Sequence, residues 1–287
     1  MVVVGVDESD TAGDALALAR LLAGPLGATV LGVHVHPYGE AQSLLDDEKH
    51  SLVMRELAES VRGHMLALGF PVEDRTLRLV ADRSPAAGLQ RTAESSEVVL
   101  IALGSSRRSG VGRVFPGGTA ESLLTGAPCP VAVAPRAFSA PAEGVSVIGC
   151  AFDEREESGA ALLWASELAT ATQSQLRLLA VHVPLPGGAV AVPVGVPLVS
   201  VNATLRRALG GKLADTENEL RDGAISVESM LLEGDAVEEL RQQSSTLDLL
   251  VVGSRAYGPA RAVLLGSVSS SLLRTAECPV IVVPRPR

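Results

Sequence analysis

Aromatic side chains make up only 2% of this 287-residue chain, its three cysteines are scattered, and no uninterrupted apolar run spans a bilayer. Each shortage removes a class of function. So few flat rings cannot build the base-stacking surface that holds single-stranded nucleic acid. A formal net charge of −9 opposes any phosphate backbone, so nucleic acid is not expected as a partner. Cys129, Cys150 and Cys278 supply neither a disulfide framework nor a Cys-x-x-Cys metal knuckle, which fits a reducing cytoplasm. The longest apolar stretch, GGAVAVPVGVPLVSV at 187–201, is broken by Pro193 and Pro197 and falls short of the roughly 20 residues of a membrane helix. It reads as a loop or flap, and no membrane association is expected. The opening MVVVGVDESD shows neither a basic leader nor a cleavage site, so no export signal is expected. No Gly-Lys-[Ser/Thr] occurs, which removes the P-loop lysine, and the glycine spacing does not fit the dinucleotide fingerprint.

What is present is a duplication. Gly104 and Gly253, Gly117 and Gly266, Cys129 and Cys278, and Pro135 and Pro284 are each 149 residues apart. Upstream the register slips, to 146 between Asp7 and Asp153 and 148 between His34 and His182. The length suits two domains of ordinary size. We place them at 1–136 and 145–287, with 137–144 as the linker.

Within each half, short β-branched runs alternate with helical patterns, which implies βαβ units and a mostly parallel sheet with helices on both faces. Strands are expected at 2–7, 29–35, 75–80, 97–103 and 131–135, and again at 145–152, 176–183, 224–232, 247–252 and 280–284. Helices are expected over 10–23 and 42–68, where Leu and Ala recur at helical spacing. The last strands, VAVAP and VIVVP, would leave sticky edges unless paired, so association through them, between domains or as a homodimer, is expected. In open sheets of this kind ligands sit beyond the carboxyl ends of strands, where the strand order reverses.

Two strand ends carry candidate groups: Asp7 and Asp153 after the first strand, Gly104 and Gly253 after the fourth. A glycine there allows close backbone approach, and amides at the following helix N-terminus can hold an anion. Ser267 adds a hydroxyl. Tight turns are the plain alternative for the glycines. For Asp153 the plain alternative is a cap on the helix starting near Glu156. His34 and His182 recur on the second strand with apolar neighbours, which favours a structural role over that of a base. Cys129 and Cys278, in Cys-Pro-Val at a strand entrance, read as packing residues rather than redox thiols.

Taken together, VVVGVDES and VIGCAFDE, GVHV and AVHV, LEGDAVEEL, LDLLVVGSRA through LLGSVS, and the endings APCPVAVAPR and AECPVIVVPR resemble the universal stress protein (UspA) family in its tandem two-domain form. The resemblance spans nearly the whole chain. It implies an α/β fold of two tandem open five-stranded parallel sheets of order 3-2-1-4-5, domain pairing through the last strands and, in one subclass, ATP binding by a Gly-2x-Gly-9x-Gly-[Ser/Thr] loop. The second half matches that loop at Gly253, Gly266 and Ser267, but Ala256 stands at the middle glycine. Carried over, Asp153 and Val183 would meet the ribose and adenine. Val252, Gly253, Arg255, Ala256, Gly266, Ser267, Val268 and Ser269 would line the ribose and phosphates. In the first half Asp7, Val35, Gly104 and Gly117 hold, while Arg107 replaces the middle glycine and Gly118 the hydroxyl residue, with Thr119 one place late. That site is expected to be the weaker one.

The reading is therefore a cytoplasmic, stress-related sensor or regulator that binds ATP, with or without Mg²⁺, mainly in its C-terminal domain. It is no dedicated enzyme, and any hydrolysis would be slow and incidental. The alternatives are a nucleotide-independent interaction module, favoured by the departures at Arg107, Gly118 and Ala256, and a true adenine-nucleotide hydrolase on a similar fold.

Overall fold

A computed structural model describes residues 1–37, 47–72, 76–95, 97–106, 110–114, 116–153, 155–186, 197–222, 225–254 and 266–284. The first half runs β1 (Val2–Gly5), α1 (Asp10–Ala23), β2 (Val30–Pro37), α2 (Asp47–Ala67), β3 (Leu77–Asp82), α3 (Pro85–Ser95), β4 (Leu100–Gly104), α4 (Gly118–Leu123) and β5 (Val131–Ala134). The second runs β6 (Val147–Phe152), α5 (Glu156–Thr172), β7 (Gln175–His182), α6 (Leu198–Asp222), β8 (Val227–Glu233), α7 (Ala236–Ser244), β9 (Leu249–Gly253), α8 (Ser267–Thr275) and β10 (Val280–Val283).

The central strands are apolar on both faces because both are covered. Val2, Val4, Leu100 and Ala102 turn to one side, where they meet Leu16, Ala19 and Leu22 of α1. Val3, Ile101 and Leu103 turn to the other, against Leu89 of α3 and Ala120 and Leu123 of α4. The second half repeats this, with Leu176, Leu178 and Ala180 packed with α5 on the first side and Leu250 and Val252 packed with α7 and α8 on the second. Alternating side-chain direction along each strand serves two cores at once.

The two sheets expected from the sequence are one. Ten strands form a continuous sheet in the order β3-β2-β1-β4-β5-β10-β9-β6-β7-β8. Every pairing is parallel except the central one, where β10 runs antiparallel to β5 with Val280 opposite Val133, Ile281 opposite Ala132 and Val282 opposite Val131. The physical reason lies in those strands. Both are buried at every position, and a fully apolar edge left open would expose unpaired backbone groups beside it. Two further links cross the joint: Val114 N–H donates to the Ala276 carbonyl at 3.0 Å, and Arg274 of α8 reaches Glu121 of α4 at 2.8 Å. Because the joint is antiparallel, the strands of the two halves point in opposite directions, so their carboxyl ends lie at opposite ends of the sheet.

The connection after β5 is tied to the first half. The buried Asp14 of α1 accepts hydrogen bonds from Ala137 N–H at 3.1 Å and Phe138 N–H at 2.9 Å. This holds Ala137 at a φ of +59°, a region an alanine rarely occupies. Burial nonetheless raises the Asp14 carboxyl above its ordinary value, against the lowering effect of those two bonds.

Helix α1 covers the range expected. Helix α6, in contrast, begins at Leu198, inside the stretch read as a loop. Pro197 precedes its first residue, where a missing N–H does no harm, and the Pro197 carbonyl accepts from Ser200 at 2.9 Å. The proline signalled a helix start rather than a break. Residues 187–196 of that stretch lie outside the described residues. All three cysteines are free and buried. Burial pushes the Cys129 and Cys150 thiols up to about 12, and Cys278 in the same direction, so they stay protonated and serve as packing groups.

Candidate functional site

In each half the first strand lies between the second and the fourth, and the connections leave it toward opposite faces. A crevice opens at the carboxyl end of such a switch point, and a cavity occupies it twice. The N-terminal cavity, about 260 Å³, is walled by the end of β1 (Gly5, Val6, Asp7), by Val33, His34 and Val35 of β2, by Leu103 and Gly104 of β4, and by Gly117, Thr119 and Ala120 where α4 begins. The C-terminal cavity, about 320 Å³, has Ala151, Phe152 and Asp153, then Val181 and Val183, Val252 and Gly253, and finally Gly266, Val268 and Ser269 at the start of α8. Equivalent pieces of a duplicated chain thus build equivalent hollows.

The two aspartates shape the turn between strand and helix. Asp7 Oδ1 accepts from Ser9 N–H at 3.0 Å and from the Ser9 hydroxyl, which lies 2.8 Å from Thr11 Oγ1. Asp153 Oδ1 accepts from Arg155 N–H at 3.0 Å. Helix α5 is capped by Arg155 itself, whose side chain makes no capping bond, so Asp153 fixes the turn one step ahead of the cap. Its second oxygen lies 3.7 Å from Arg155 Nε, whereas Asp7 Oδ2 has no protein partner among the described residues. Each carboxylate gives one oxygen to the fold and turns the other outward.

The glycines divide into two kinds. At Gly104 a Cβ would lie 2.0 Å from the Thr11 carbonyl oxygen, a backbone atom with no freedom to move away. The close approach expected of this glycine is therefore made by the backbone of α1, not reserved for a ligand. Gly117 is different. It caps α4 at a φ of −77°, open to any residue, and a Cβ there would meet nothing nearer than Ser106 Cβ at 4.0 Å. Neither conformation nor packing requires a glycine, and its missing side chain leaves cavity volume. Gly266 caps α8 at a φ of −64°, equally unstrained.

Of the residues expected at the C-terminal site, Asp153, Val183, Val252, Gly253, Gly266, Val268 and Ser269 line the cavity. Ser267 is the exposed first residue of α8 and is not part of the lining. Ser269 donates its hydroxyl to the Gly253 carbonyl at 2.9 Å, tying the helix start to the strand end. In the first half Asp7, Val35, Gly104, Gly117 and Thr119 line the cavity and Gly118 does not. Arg107, Arg255 and Ala256 lie outside the described residues.

Several residues at the cavities escaped the sequence reading. Arg155 and Ser158 border the C-terminal cavity, and Ser9, Thr11, Ser105 and Ser106 the N-terminal one. The offset that aligns Asp7 with Asp153 also aligns Ser9 with Arg155, and following it two residues further would have found both. The result is an electrostatic difference among the described residues, since the C-terminal lining includes a guanidinium and the described N-terminal lining has hydroxyls, an imidazole and a carboxylate but no Lys or Arg. His34 lies at the N-terminal cavity with Nδ1 3.0 Å from the Val6 carbonyl. His182 lines a different hollow altogether.

The comparisons with known proteins follow the same division. A model of the universal stress protein family matches residues 1–135 and, separately, 145–284. A universal stress protein of Mycobacterium tuberculosis is 29% identical over 191 residues, 66% of this chain and 62% of that protein, so the chain spans less than two thirds of that relative's length. The crystal structure of a universal stress protein from Archaeoglobus fulgidus has the same fold, with a TM-score of 0.63 at 18% identity, covering 99% of this chain and 96% of that one. A half-length match, a universal stress protein family protein from Arabidopsis thaliana solved with AMP bound, gives a TM-score of 0.35 at 22% identity over 49% of this chain and 92% of that one.

Proposed function

The chain belongs to the universal stress protein family, in tandem form, and on that premise we propose that its C-terminal half binds an adenine nucleotide, ATP in the first instance, as the input of a stress-response sensor or regulator. The observation that carries this reading is the meeting of Arg155 and the N-terminus of the nine-residue α8 around one switch-point cavity. A guanidinium and free helix amides, side by side, suit a phosphate chain.

In this reading the outward oxygen of Asp153 takes a ribose hydroxyl or the adenine amine, and the Val183 backbone reads the adenine edge. Gly253, Arg255, Ala256, Gly266, Ser267 and Val268 surround ribose and phosphates. Ser269 contributes through its backbone amide, because its hydroxyl already holds Gly253. The N-terminal site, at Asp7, Val35, Gly104, Arg107, Gly117, Gly118 and Thr119, binds more weakly. Its described lining carries no cation, and its helix has only six residues. Among the described residues no group of three or more His, Cys, Asp or Glu could hold a metal ion. Mg²⁺ would therefore arrive on the phosphates, as it commonly does. The functional units are 1–136 and 145–287 with 137–144 between them, the chain works in the cytoplasm, and any hydrolysis is incidental to binding. No helix among the described residues is long and apolar enough to cross a membrane.

A second reading, a nucleotide-independent interaction module, is favoured by Gly104, a signature glycine that packing alone explains. Calorimetric titration of ATP, with and without Mg²⁺, into protein stripped of carried-over nucleotide separates the two. Saturable binding near one site per chain, lost in Gly266→Glu and weakened in Asp153→Ala, supports the nucleotide sensor. Silence at millimolar ATP leaves the interaction module.

A further inference from the structure

A third hollow, about 640 Å³, lies in the C-terminal half between α6 and the β7–β8 edge. Alternation along β7 separates it from the nucleotide cavity. Val181 and Val183 line one, and His182 lines the other. His182 is 5% exposed, and its Nε2 is fully buried without a hydrogen-bond partner. A buried polar atom left unpaired costs free energy and calls for an explanation.

The other walls define what would fill the hollow. Arg206 is neutralised by Glu233 at 3.0 Å, while Arg207 has no ion-pair or hydrogen-bond partner among the described residues. Asn202 is committed, holding the Leu185 backbone by donating from its amide and accepting at its carbonyl. Val199 and Leu231 give apolar surface. One uncompensated guanidinium and one open imidazole, beside an apolar wall, fit a single anionic head on an apolar body. A polyanion would meet the Glu233 carboxylate, and a cation would meet Arg207. The volume falls in the range of about 300–1,000 Å³ usual for small-molecule sites. We propose that this hollow is a second ligand site, distinct from the nucleotide cavity, for a small amphiphilic monocarboxylate whose carboxylate pairs with Arg207 and accepts from His182.

The proposal does not depend on nucleotide binding, and its test is kept apart from it. Sodium octanoate is titrated into the full-length protein by calorimetry and by the ¹H–¹⁵N spectrum of the His182 imidazole, with 1-octanol and octylamine as neutral and cationic comparators. The expected result is saturable binding near one octanoate per chain, a shifted His182 imidazole signal, and at least tenfold weaker binding of both comparators. Arg207→Gln and His182→Asn are each expected to weaken octanoate by about tenfold or more, as for loss of a hydrogen bond to a charged group. Gly266→Glu should leave octanoate binding unchanged. No saturation by about 10 mM, a range reached even by weak sites, overturns the proposal. So does octanol binding equal to octanoate, or wild-type affinity in Arg207→Gln. That variant alters an exposed helix position, so it keeps the test decisive should His182→Asn fail to fold.

Discussion

The two strand-end cavities descend from one sequence and have kept the same walls, yet they differ in what those walls offer a ligand. In the N-terminal cavity Asp7, Ser9 and Thr11 bond to one another, so the polar groups are largely occupied among themselves. In the C-terminal cavity Ser9's counterpart is Arg155, a cation paired only loosely with Asp153. The strand-to-helix turn is preserved because an aspartate two residues ahead of the next amide makes it, while the residue donating that amide is free to change its side chain. Duplication thus separates what the fold requires from what binding selects.

The sharpest way to break this comparison is to block each cavity in turn. Gly266→Glu is expected to lower ATP affinity by roughly 100-fold, by placing a carboxylate against the phosphates. Gly117→Glu should change the calorimetric titration by no more than about twofold if the C-terminal site dominates. Equal losses would show that the halves share the work. Next in size is Gly104→Ala, whose Cβ would sit 2.0 Å from the Thr11 carbonyl oxygen. Urea unfolding should show a loss of about 2–3 kcal/mol, the range for forced overpacking.

A third test uses two serines that are 149 residues apart. Ser105 is buried and donates to the Ala134 carbonyl at 2.6 Å, whereas the Ser254 hydroxyl is buried with no partner. Ser105→Ala should cost about 1 kcal/mol and Ser254→Ala should gain about as much, both read by urea midpoints, since losing a made bond and removing an unmade one have opposite signs. The smallest effect concerns α7. Its Glu238 is held from an ordinary value of 4.5 down to about 2 by the hydrogen bond from Arg241, then by that from Gln242. A depressed carboxyl stabilises the fold above its unfolded value and loses that contribution as pH falls through about 2. The melting temperature of wild type should therefore converge on that of Glu238→Gln between about pH 4.5 and 2. Helix α3, with no acid in its first turn, offers no counterpart.

Much of this was legible in the chain itself. Alternating apolar runs located every strand to within a few residues, and the 149-residue offset exposed the duplication before any coordinates. The merger of two sheets into one was legible in part, because the β-branched last strands called for a partner and pairing between the domains was expected beside pairing between two chains. Asp153 was legible as a strand-end group, but its expected alternative role as the helix cap falls to Arg155, and Asp153 forms the turn ahead of it. Arg155 was not, since an arginine after an acidic cluster reads as a solvated charge until the fold turns it toward a cavity. Gly104 and Gly117 look alike in sequence, and only the neighbouring Thr11 carbonyl tells a packing glycine from a space-making one. The start of α6 was hidden by Pro197, since a proline breaks a helix from within but does no harm just ahead of its first residue.

The antiparallel joint between β5 and β10 also has a consequence in time. β5 is synthesised long before its partner, which lies about 150 residues further along the chain. Until β10 emerges, the first half can fold with its most apolar edge unpaired, a state exposed to pairing with other nascent chains. The four residues Val280–Val283 are therefore the closing stitch of the whole sheet, and the order of synthesis leaves that stitch until last.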